Sequence, residues 1–338
     1  MAKQNIDNFD PNGVGQRNGN FIGLPFDEHT AQTILLPVSW DVTTSYSAGT
    51  AQASEFIREA SLQLDLYNAD APDAWKKGIY MFPASNQQIE ENNTYRTKAT
   101  KIIEQLEAGK DVDIALLTEI NQACEKLHDK VYRQCQFWLS KNKTIGLIGG
   151  EHSTPLGYIK ALAERYESFG ILQIDAHCDL RKAYEGFVYS HASIMYNVLQ
   201  ISNVEKIVQV GIRDYCEAEN ERIKASDGRV MTFFDEAMKA QLFQGETYDM
   251  ICNQIINELP DNVYISFDVD GLQPALCPNT GTPVPGGLTF EQAVFIIKKL
   301  RQYDKKIIGF DVSETAPAEW DANVAARIIY KLCCLLNH

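Results

Sequence analysis

The sequence predicts a single three-layer α/β/α domain built on a mostly parallel, doubly wound sheet. Short, continuous runs of apolar β-formers recur along the chain, which is typical of strands buried on both faces of a parallel sheet. Between them lie segments with apolar residues at i, i+3 and i+4, the spacing of amphipathic helices. Because strand and helix alternate over most of the 338 residues, we expect one large domain rather than two small ones.

These runs place the individual elements. The first 30 residues are polar and rich in Gly and Asn, so we expect an irregular N-terminal arm there and the α/β domain over 31–338. Residues 68–110 are the least regular part of the domain, and we interpret them as an insertion. Strands are predicted over 33–38, 144–148, 171–174, 207–210, 231–234, 263–267 and 306–310. Helices are predicted over 111–140, 155–166 and 290–302.

Charge and composition argue against several classes of partner. The net charge is −14, from 31 basic and 45 acidic residues, and no Lys/Arg-rich block stands out. We therefore expect neither nucleic acid nor anionic membrane surfaces as partners. No stretch approaches the ~20 apolar residues that cross a bilayer, and the polar start has no signal-peptide pattern. The eight cysteines are scattered without a CxxC pair, which predicts reduced thiols and a cytoplasmic location.

Three short clusters of acidic and histidine residues follow predicted strands. In a doubly wound sheet, ligands bind beyond the carboxyl ends of the strands, which is where all three clusters fall. Carboxylates this close together would repel one another unless positive charge lay between them. The pattern therefore predicts a site for two divalent cations. The clusters are Glu151 and His152, then Asp175, His177 and Asp179, then Asp268 and Asp270.

The donor set indicates which metal and which chemistry to expect. It is rich in oxygen and offers one imidazole per ion, which suits Mn²⁺ first, with Ni²⁺, Co²⁺, Fe²⁺ and Zn²⁺ as alternatives. A structural zinc site is excluded because no cysteine cluster accompanies the histidines. Two ions that share a water lower its pKa and supply a hydroxide near neutral pH. Metal-assisted hydrolysis is the predicted reaction.

Five stretches resemble the ureohydrolase family, which includes arginase, agmatinase, guanidinobutyrase and formimidoylglutamase. The resemblance covers about residues 31–335 and implies an arginase-like fold and a homo-oligomer, a trimer or a hexamer. The YSH segment is closer to agmatinases than to arginases, so the chain looks like an agmatinase-like member. The stretches are GGEHS at 149–153, DAHCD at 175–179, YSHAS at 189–193, SFDVDGLQPALCPNTGTPVPGG at 266–287 and DVSETAP at 311–317.

The resemblance also implies a role for each residue of these stretches. A hydroxide that bridges the two ions would attack the amidine or guanidino carbon. His191, or a site carboxylate such as Asp179, would pass a proton to the leaving nitrogen. Glu314 would hold the cationic guanidinium by a charge-assisted contact. The implied metal ligands are Asp175 and Asp268 as bridges, His152 and Asp179 for one ion, and His177 and Asp270 for the other.

Three positions bear on specificity. Glu151 stands where the family usually has Asp, and we expect it to orient a metal ligand from behind. Arg181 stands where arginases carry Asn, which argues against arginine as substrate; it would either pair with a substrate carboxylate or form a salt bridge with Glu185. Trp320 would either wall a cationic pocket by a cation–π contact or pack at the start of a helix.

We therefore expect a binuclear-metal hydrolase of C–N bonds in linear amidines, with a small cationic guanidino compound such as agmatine as substrate and urea plus an amine as products. Formimidoylglutamate, which would give formamide plus glutamate, is the second candidate and guanidine the third. Two other classes stay open. A mononuclear zinc deacetylase would need only one ion, and a metal-binding scaffold relative would need no reaction at all.

Overall fold

The computed structural model describes residue 6 and residues 9–336, so the first residues of the predicted arm and residues 337–338 lie outside the description. The sheet has eight strands, and every recorded pairing between neighbours is parallel. This arrangement confirms the predicted fold class. The strands are β1 Thr33–Pro37, β2 Ile79–Met81, β3 Thr144–Ile148, β4 Phe169–Ile174, β5 Val204–Ile212, β6 Val230–Phe234, β7 Asn262–Asp268 and β8 Lys306–Ser313.

Ten α-helices lie between and beside the strands of the described chain. Helix α9 begins at Phe290 because the Thr289 hydroxyl accepts from the Gln292 N–H, while the Gln292 side chain accepts from the Thr289 N–H. The helices are α1 Ala53–Ser61, α2 Asn86–Glu107, α3 Ile114–Ser140, α4 Leu156–Arg165, α5 Ile194–Val198, α6 Glu217–Ala225, α7 Asp235–Phe243, α8 Tyr248–Asn257, α9 Phe290–Gln302 and α10 Glu319–Leu335.

Both faces of the sheet are covered. Helices α1, α8, α9 and α10 contribute to one buried apolar cluster, and helices α2 to α5 contribute to another. Successive strand residues face opposite clusters: Ile171 of β4 belongs to the second and Leu172 to the first. A strand with apolar neighbours on both faces needs apolar residues at every position, which explains the continuous runs in the sequence.

The segment 68–110 is more regular than we expected. It contains the edge strand β2 and the 22-residue helix α2, whose start at Asn86 is capped by Ser85 accepting from the Gln88 N–H. The expectation of an irregular segment was therefore wrong. The sequence did not reveal these elements because β2 has only three residues and α2 is mostly polar with few buried positions. The boundaries of the arm, the domain and the insertion remain a prediction.

Strand order positions the site. The sheet runs β2-β1-β3-β8-β7-β4-β5-β6, so β8 and β7 lie between β3 and β4 at its centre. The residues that follow these four strands therefore meet at one edge of the sheet. Within the described residues, no helix combines the length and apolar character needed to cross a bilayer.

Candidate metal centre

A cavity of about 410 Å³ opens at the carboxyl ends of the central strands. It is where the fold predicts a ligand, because the ends of β3, β4, β7 and β8 converge there. The structure brings together nearly all of the residues that we singled out in the sequence. Those that line the cavity are His152, His177, Asp179, Arg181, His191, Asp268, Asp270 and Glu314.

The first group of potential ligands is His152, Asp175 and Asp179. Ligand atoms of the three residues lie within 4.8 Å of one another, and all three residues are buried. Nδ1 of His152 lies 2.9 Å from an oxygen of Asp175 and 2.9 Å from an oxygen of Asp179. That nitrogen has no hydrogen-bond partner among the described residues, whereas Nε2 lies 2.8 Å from the Ser266 hydroxyl. A bare nitrogen converging with two carboxylate oxygens fits a divalent cation.

The second group is Asp175, His177 and Asp270, so Asp175 belongs to both groups. Nδ1 of His177 lies 3.0 Å from Asp270 Oδ2 and 3.7 Å from Asp175 Oδ1. Asp268 lies beside the first group, with Oδ2 3.4 Å from His152 Nδ1, and is a member of neither triplet. The two groups therefore share a carboxylate, which fits two ions held close together.

Backbone hydrogen bonds fix these carboxylates. Asp175 Oδ1 accepts from the His177 N–H at 2.7 Å, and Asp268 Oδ1 accepts from the Asp270 N–H at 2.8 Å. Asp270 Oδ1 accepts from the Ala176 N–H at 3.0 Å and so ties the end of β7 to the end of β4. The close approach needs glycine at 271, because a Cβ there would lie 2.6 Å from the Asp175 nitrogen.

The electrostatics of the carboxylates point to a cation. Burial, followed by the charges of Asp270 and Asp175, raises the pKa of Asp268 well above its usual range. Burial and Asp175 raise the pKa of Asp179 to about 7. Ionisation of Asp268 and Asp179 is therefore disfavoured unless positive charge lies close by, and divalent cations can supply that charge. The donor set therefore fits the two ions that the sequence predicts.

Several residues behind the ligands were missed in the sequence. The Ser266 hydroxyl meets Nε2 of His152, and Gln173 Nε2 donates to Asp175 Oδ2 at 2.8 Å. Buried Asp311 accepts from the Tyr264 hydroxyl at 2.8 Å, and its other oxygen lies 3.9 Å from His152 Nε2. Strand alternation could have found two of them: Ser266 precedes Asp268 by two positions, and Gln173 precedes Asp175 by two.

Glu314 presents an unpaired oxygen at the cavity. Its Oε1 accepts from the His152 N–H at 2.8 Å, whereas its buried Oε2 has no hydrogen-bond partner within the described residues. Burial, followed by the charge of Glu151, raises the pKa of Glu314 well above its usual range. An unpaired carboxylate oxygen beside a cavity can accept from the N–H groups of a cation.

Glu151 and His191 meet the same residue, Thr43. Glu151 is fully buried, and it accepts from the Thr43 N–H at 2.7 Å and from the Thr43 hydroxyl at 2.9 Å. The recorded hydrogen bonds of the Glu151 carboxylate are to Thr43, Thr44 and Ser153 rather than to a proposed metal ligand, which differs from our expectation that Glu151 orients one. Burial raises the pKa of Glu151 to about 7. Burial, together with His177 and His152, lowers the pKa of His191 to about 3, so its ring is neutral at pH 7.

Arg181 lines the cavity, but its partner is not the one that we expected. Its Nε lies 3.8 Å from Oε2 of the buried Glu219, and its guanidinium lies 4.9 Å from the centre of the Tyr184 ring. The suggested pairing with Glu185 is therefore wrong. Glu219 is held by the N–H groups of Leu180 and Cys216, which the sequence does not reveal.

Trp320 is placed outside the cavity. It is absent from the residues that line the cavity, and its half-exposed indole donates to the Ala275 carbonyl at 3.1 Å. The cation–π wall is therefore wrong, and Trp320 packs at the start of α10, which was the alternative that the sequence left open.

A three-layer α/β fold whose cavity is floored by carboxylates and histidines defines a metal-dependent hydrolase. Residues 31–335 match the Arginase family, and the chain belongs to that family. The identification as a ureohydrolase, a hydrolase of C–N bonds in linear amidines, is thereby confirmed.

The chain is 27% identical over 308 residues to an N(1)-aminopropylagmatine ureohydrolase of Synechocystis sp., covering 89% of this chain and 88% of the relative. It is also 27% identical over 312 residues to an agmatinase of Klebsiella pneumoniae, covering 90% and 88%.

Solved structures support the fold. The agmatine ureohydrolase of Thermoplasma volcanium is similar with a TM-score of 0.72 at 23% identity, covering 94% of this chain and 93% of that one. The formimidoylglutamase of Bacillus subtilis is similar with a TM-score of 0.69 at 18% identity, covering 91% and 88%. At these identities the likeness is one of fold and does not choose between substrates.

Proposed function

We propose that this protein hydrolyses a guanidino C–N bond of an agmatine-like compound and releases urea plus an amine. The observation that carries the proposal is the pair of ligand groups sharing Asp175, in the same cavity as the unpaired Oε2 of Glu314. Relatives named agmatinase and N(1)-aminopropylagmatine ureohydrolase support the substrate class.

Two divalent cations are part of the proposal, with Mn²⁺ preferred and Ni²⁺, Co²⁺, Fe²⁺ or Zn²⁺ as alternatives. When bound, they supply Lewis acidity and an activated water. Asp175 is the shared ligand, and Asp268, whose Oδ2 lies 3.4 Å from His152 Nδ1, is proposed as the second bridge on the family resemblance. The remaining ligands are His152 and Asp179 for one ion, and His177 and Asp270 for the other.

The residues around the ions have separate tasks. Glu314 binds the guanidinium through its free oxygen and so holds the carbon that reacts beside the ligand groups. His191 is neutral at pH 7, so its imidazole would accept a proton released by the attacking water and then pass it to the leaving nitrogen. The carboxylate of Asp179, which lines the same cavity, is the alternative proton carrier.

The cavity entrance favours an uncharged or cationic tail on the substrate. Tyr46, Tyr184 and Tyr215 line it, and the charge of Arg181 is matched by Glu219. The carboxylate of Asp214, 68% exposed, adds negative charge at the same entrance. Formimidoylglutamate remains the second candidate, because Arg181 lines the cavity and is the cation there that could meet a substrate carboxylate.

The test is a product assay on protein loaded with Mn²⁺ or Ni²⁺. Agmatine, arginine, guanidinobutyrate, formimidoylglutamate and guanidine are supplied in turn, and urea and glutamate are measured. Urea from agmatine is the expected result. Glutamate from formimidoylglutamate would replace the proposed substrate by the second candidate. A protein that holds two ions per chain and acts on none of the five would contradict the proposal.

Glu314→Gln provides the matched variant for this assay. The amide keeps the shape of the side chain but replaces one oxygen by a donor, so it cannot bind a guanidinium as the carboxylate does. We expect both ions to be retained and kcat/KM to fall by about 10²-fold, since one preorganised charged contact is worth several kcal/mol in the transition state. An unchanged kcat/KM would remove Glu314 from substrate binding.

A cytoplasmic location and a homo-oligomeric state, trimer or hexamer, are also part of the proposal. The cysteines in the described structure are all free, and most are buried, which suits a reducing compartment. Light scattering on the purified protein measures the oligomeric state directly, and a monomeric mass would contradict it.

A further inference from the structure

Glu151 precedes a proposed ligand, His152, yet its carboxylate turns to the loop after β1. Four donors face it: the Thr43 N–H at 2.7 Å, the Thr43 hydroxyl at 2.9 Å, the Ser153 hydroxyl at 2.6 Å and the Thr44 hydroxyl at 3.5 Å. The Thr43 N–H can only donate, and the three hydroxyls donate to Glu151 when it is ionised, so the arrangement stabilises the carboxylate form. Because Glu151 is completely buried, these contacts are shielded from water.

Thr43 links Glu151 to His191. A threonine hydroxyl has one proton, and here the proton goes to Glu151 Oε1, which leaves the Thr43 oxygen as an acceptor. That oxygen accepts from the backbone N–H of His191 at 3.2 Å and lies 3.5 Å from its ring nitrogen Nδ1. Thr43 is itself completely buried, so both contacts are made away from bulk water.

The acceptor character of the Thr43 oxygen decides which ring nitrogen of His191 carries the proton. An acceptor beside Nδ1 favours the tautomer with the proton on Nδ1, because two lone pairs would otherwise face each other. Nε2 then keeps its lone pair. No hydrogen bond to Nε2 is recorded within the described residues, and the ring lines the cavity. The Ser190 hydroxyl, 3.3 Å from Nδ1, is the competing neighbour, because it can donate as well as accept.

We propose that Glu151 acts through Thr43 as a positioning residue for His191, holding the ring in place with its proton on Nδ1 and its Nε2 free for proton transfer. The inference rests on the proposed function, which gives His191 that proton-transfer task. The Glu151 backbone N–H donates to the Trp40 carbonyl at 2.8 Å, while one carboxylate oxygen accepts from the Thr43 N–H and the other from the Thr43 hydroxyl, so both ends of the residue are held.

The direct test reads the tautomer. Protein labelled with ¹⁵N in histidine and loaded with diamagnetic Zn²⁺ gives ring nitrogen shifts, and His191→Gln assigns the signals of His191. We expect a protonated Nδ1 and a bare Nε2. Glu151→Gln places an amide donor beside the Thr43 oxygen, so Thr43 turns its proton towards Nδ1 and the tautomer changes to the form protonated on Nε2.

Matched variants at Thr43 and Ser190 keep the test decisive if Glu151→Gln does not fold. Thr43→Val keeps the shape of the side chain but removes the oxygen, so His191 should lose its preference for a proton on Nδ1. Thr43→Ser keeps the oxygen and should keep that preference. Ser190→Ala should leave the tautomer unchanged. A wild-type His191 protonated on Nε2, or a tautomer that follows Ser190 instead of Thr43, would overturn the proposal.

Kinetics provide the second reading. We expect Glu151→Gln and Thr43→Val to lower kcat about 10- to 100-fold, part of the ~10²–10⁴-fold that a positioned proton-transfer group supplies. Both variants should keep the wild-type KM and two bound ions per chain. Thr43→Ser, which keeps the hydroxyl, should keep kcat close to that of the wild type. Loss of the ions together with kcat would show that Glu151 supports the metal site instead. Since the tautomer is read without substrate, a failed substrate assay would leave this result standing and would refute only the proposed function.

Discussion

The floor and the rim of the cavity are built in different ways. The floor consists of residues at or shortly beyond the carboxyl ends of strands, and Asp175, Asp268 and His152 are almost completely buried. The rim comes from loops, and its side chains are open to solvent: Tyr46 is 78% exposed and Tyr215 is 42% exposed. Sheet geometry fixes the floor, whereas each loop sets its own part of the rim. Residues at strand ends can be recognised from local sequence patterns, whereas loop residues cannot. The reaction can therefore be inferred from this sequence more readily than the substrate can.

The largest effect should come from removing a carboxylate of the floor. Asp268→Ala takes away a proposed bridging ligand, so we expect loss of at least one ion and of activity. Metal content per chain and urea release measure the result. Asp261→Ala is the matched control, because this 99% exposed aspartate lies at the opposite end of the same strand. Full activity in Asp268→Ala would refute the two-ion assignment.

A smaller effect is expected at the boundary between floor and rim. His191→Ala removes the proposed proton carrier but no proposed ligand, so both ions should remain while kcat falls by ~10²–10⁴-fold. Steady-state kinetics and metal analysis of the same preparation separate the two effects. An unchanged kcat would mean that another group transfers the proton to the leaving nitrogen. Asp179, the alternative proton carrier, would then be substituted next.

A rim substitution should change selectivity more than rate. Arg181→Ala removes a cation that Glu219 already neutralises, so kcat/KM for agmatine should change by less than about tenfold, the order of one rim contact. For a substrate with a carboxylate tail, kcat/KM should fall by more than it does for agmatine. The ratio between agmatine and guanidinobutyrate is the measurement. An equal fall for both compounds would make Arg181 a structural residue.

The smallest effect is expected outside the cavity. Trp320→Phe removes the indole N–H that donates to Ala275 but keeps an aromatic ring at the start of α10. We expect kcat/KM to be unchanged and the free energy of unfolding to fall by about 0.5–1.5 kcal/mol, the worth of one hydrogen bond. Urea denaturation measures the second quantity. A tenfold loss of kcat/KM would return Trp320 to the substrate pocket.

The same contrast explains how much could be predicted from the sequence. The predicted central strands, the fold class and the convergence of the metal-ligand candidates follow from local patterns, since a buried strand and the polar residue after it are both visible in one stretch. The partners of Glu151 and Arg181 are Thr43 and Glu219, which lie far from them along the chain. Only the folded backbone brings such pairs together. The short strand β2 and the polar helix α2 were missed because neither has a strong apolar pattern.

The link between β4 and β7 has a consequence for the order of folding. The two strands are neighbours in the sheet, yet the hydrogen bond between Ala176 and Asp270 joins residues 94 positions apart. Contacts between residues so distant along the chain close slowly, after local helices have formed. The complete set of ligands therefore exists only once the central strands have paired. Uptake of the second ion should mark a late stage of refolding, and a fragment that ends before β7 should lack Asp270 and so leave the second ligand group incomplete.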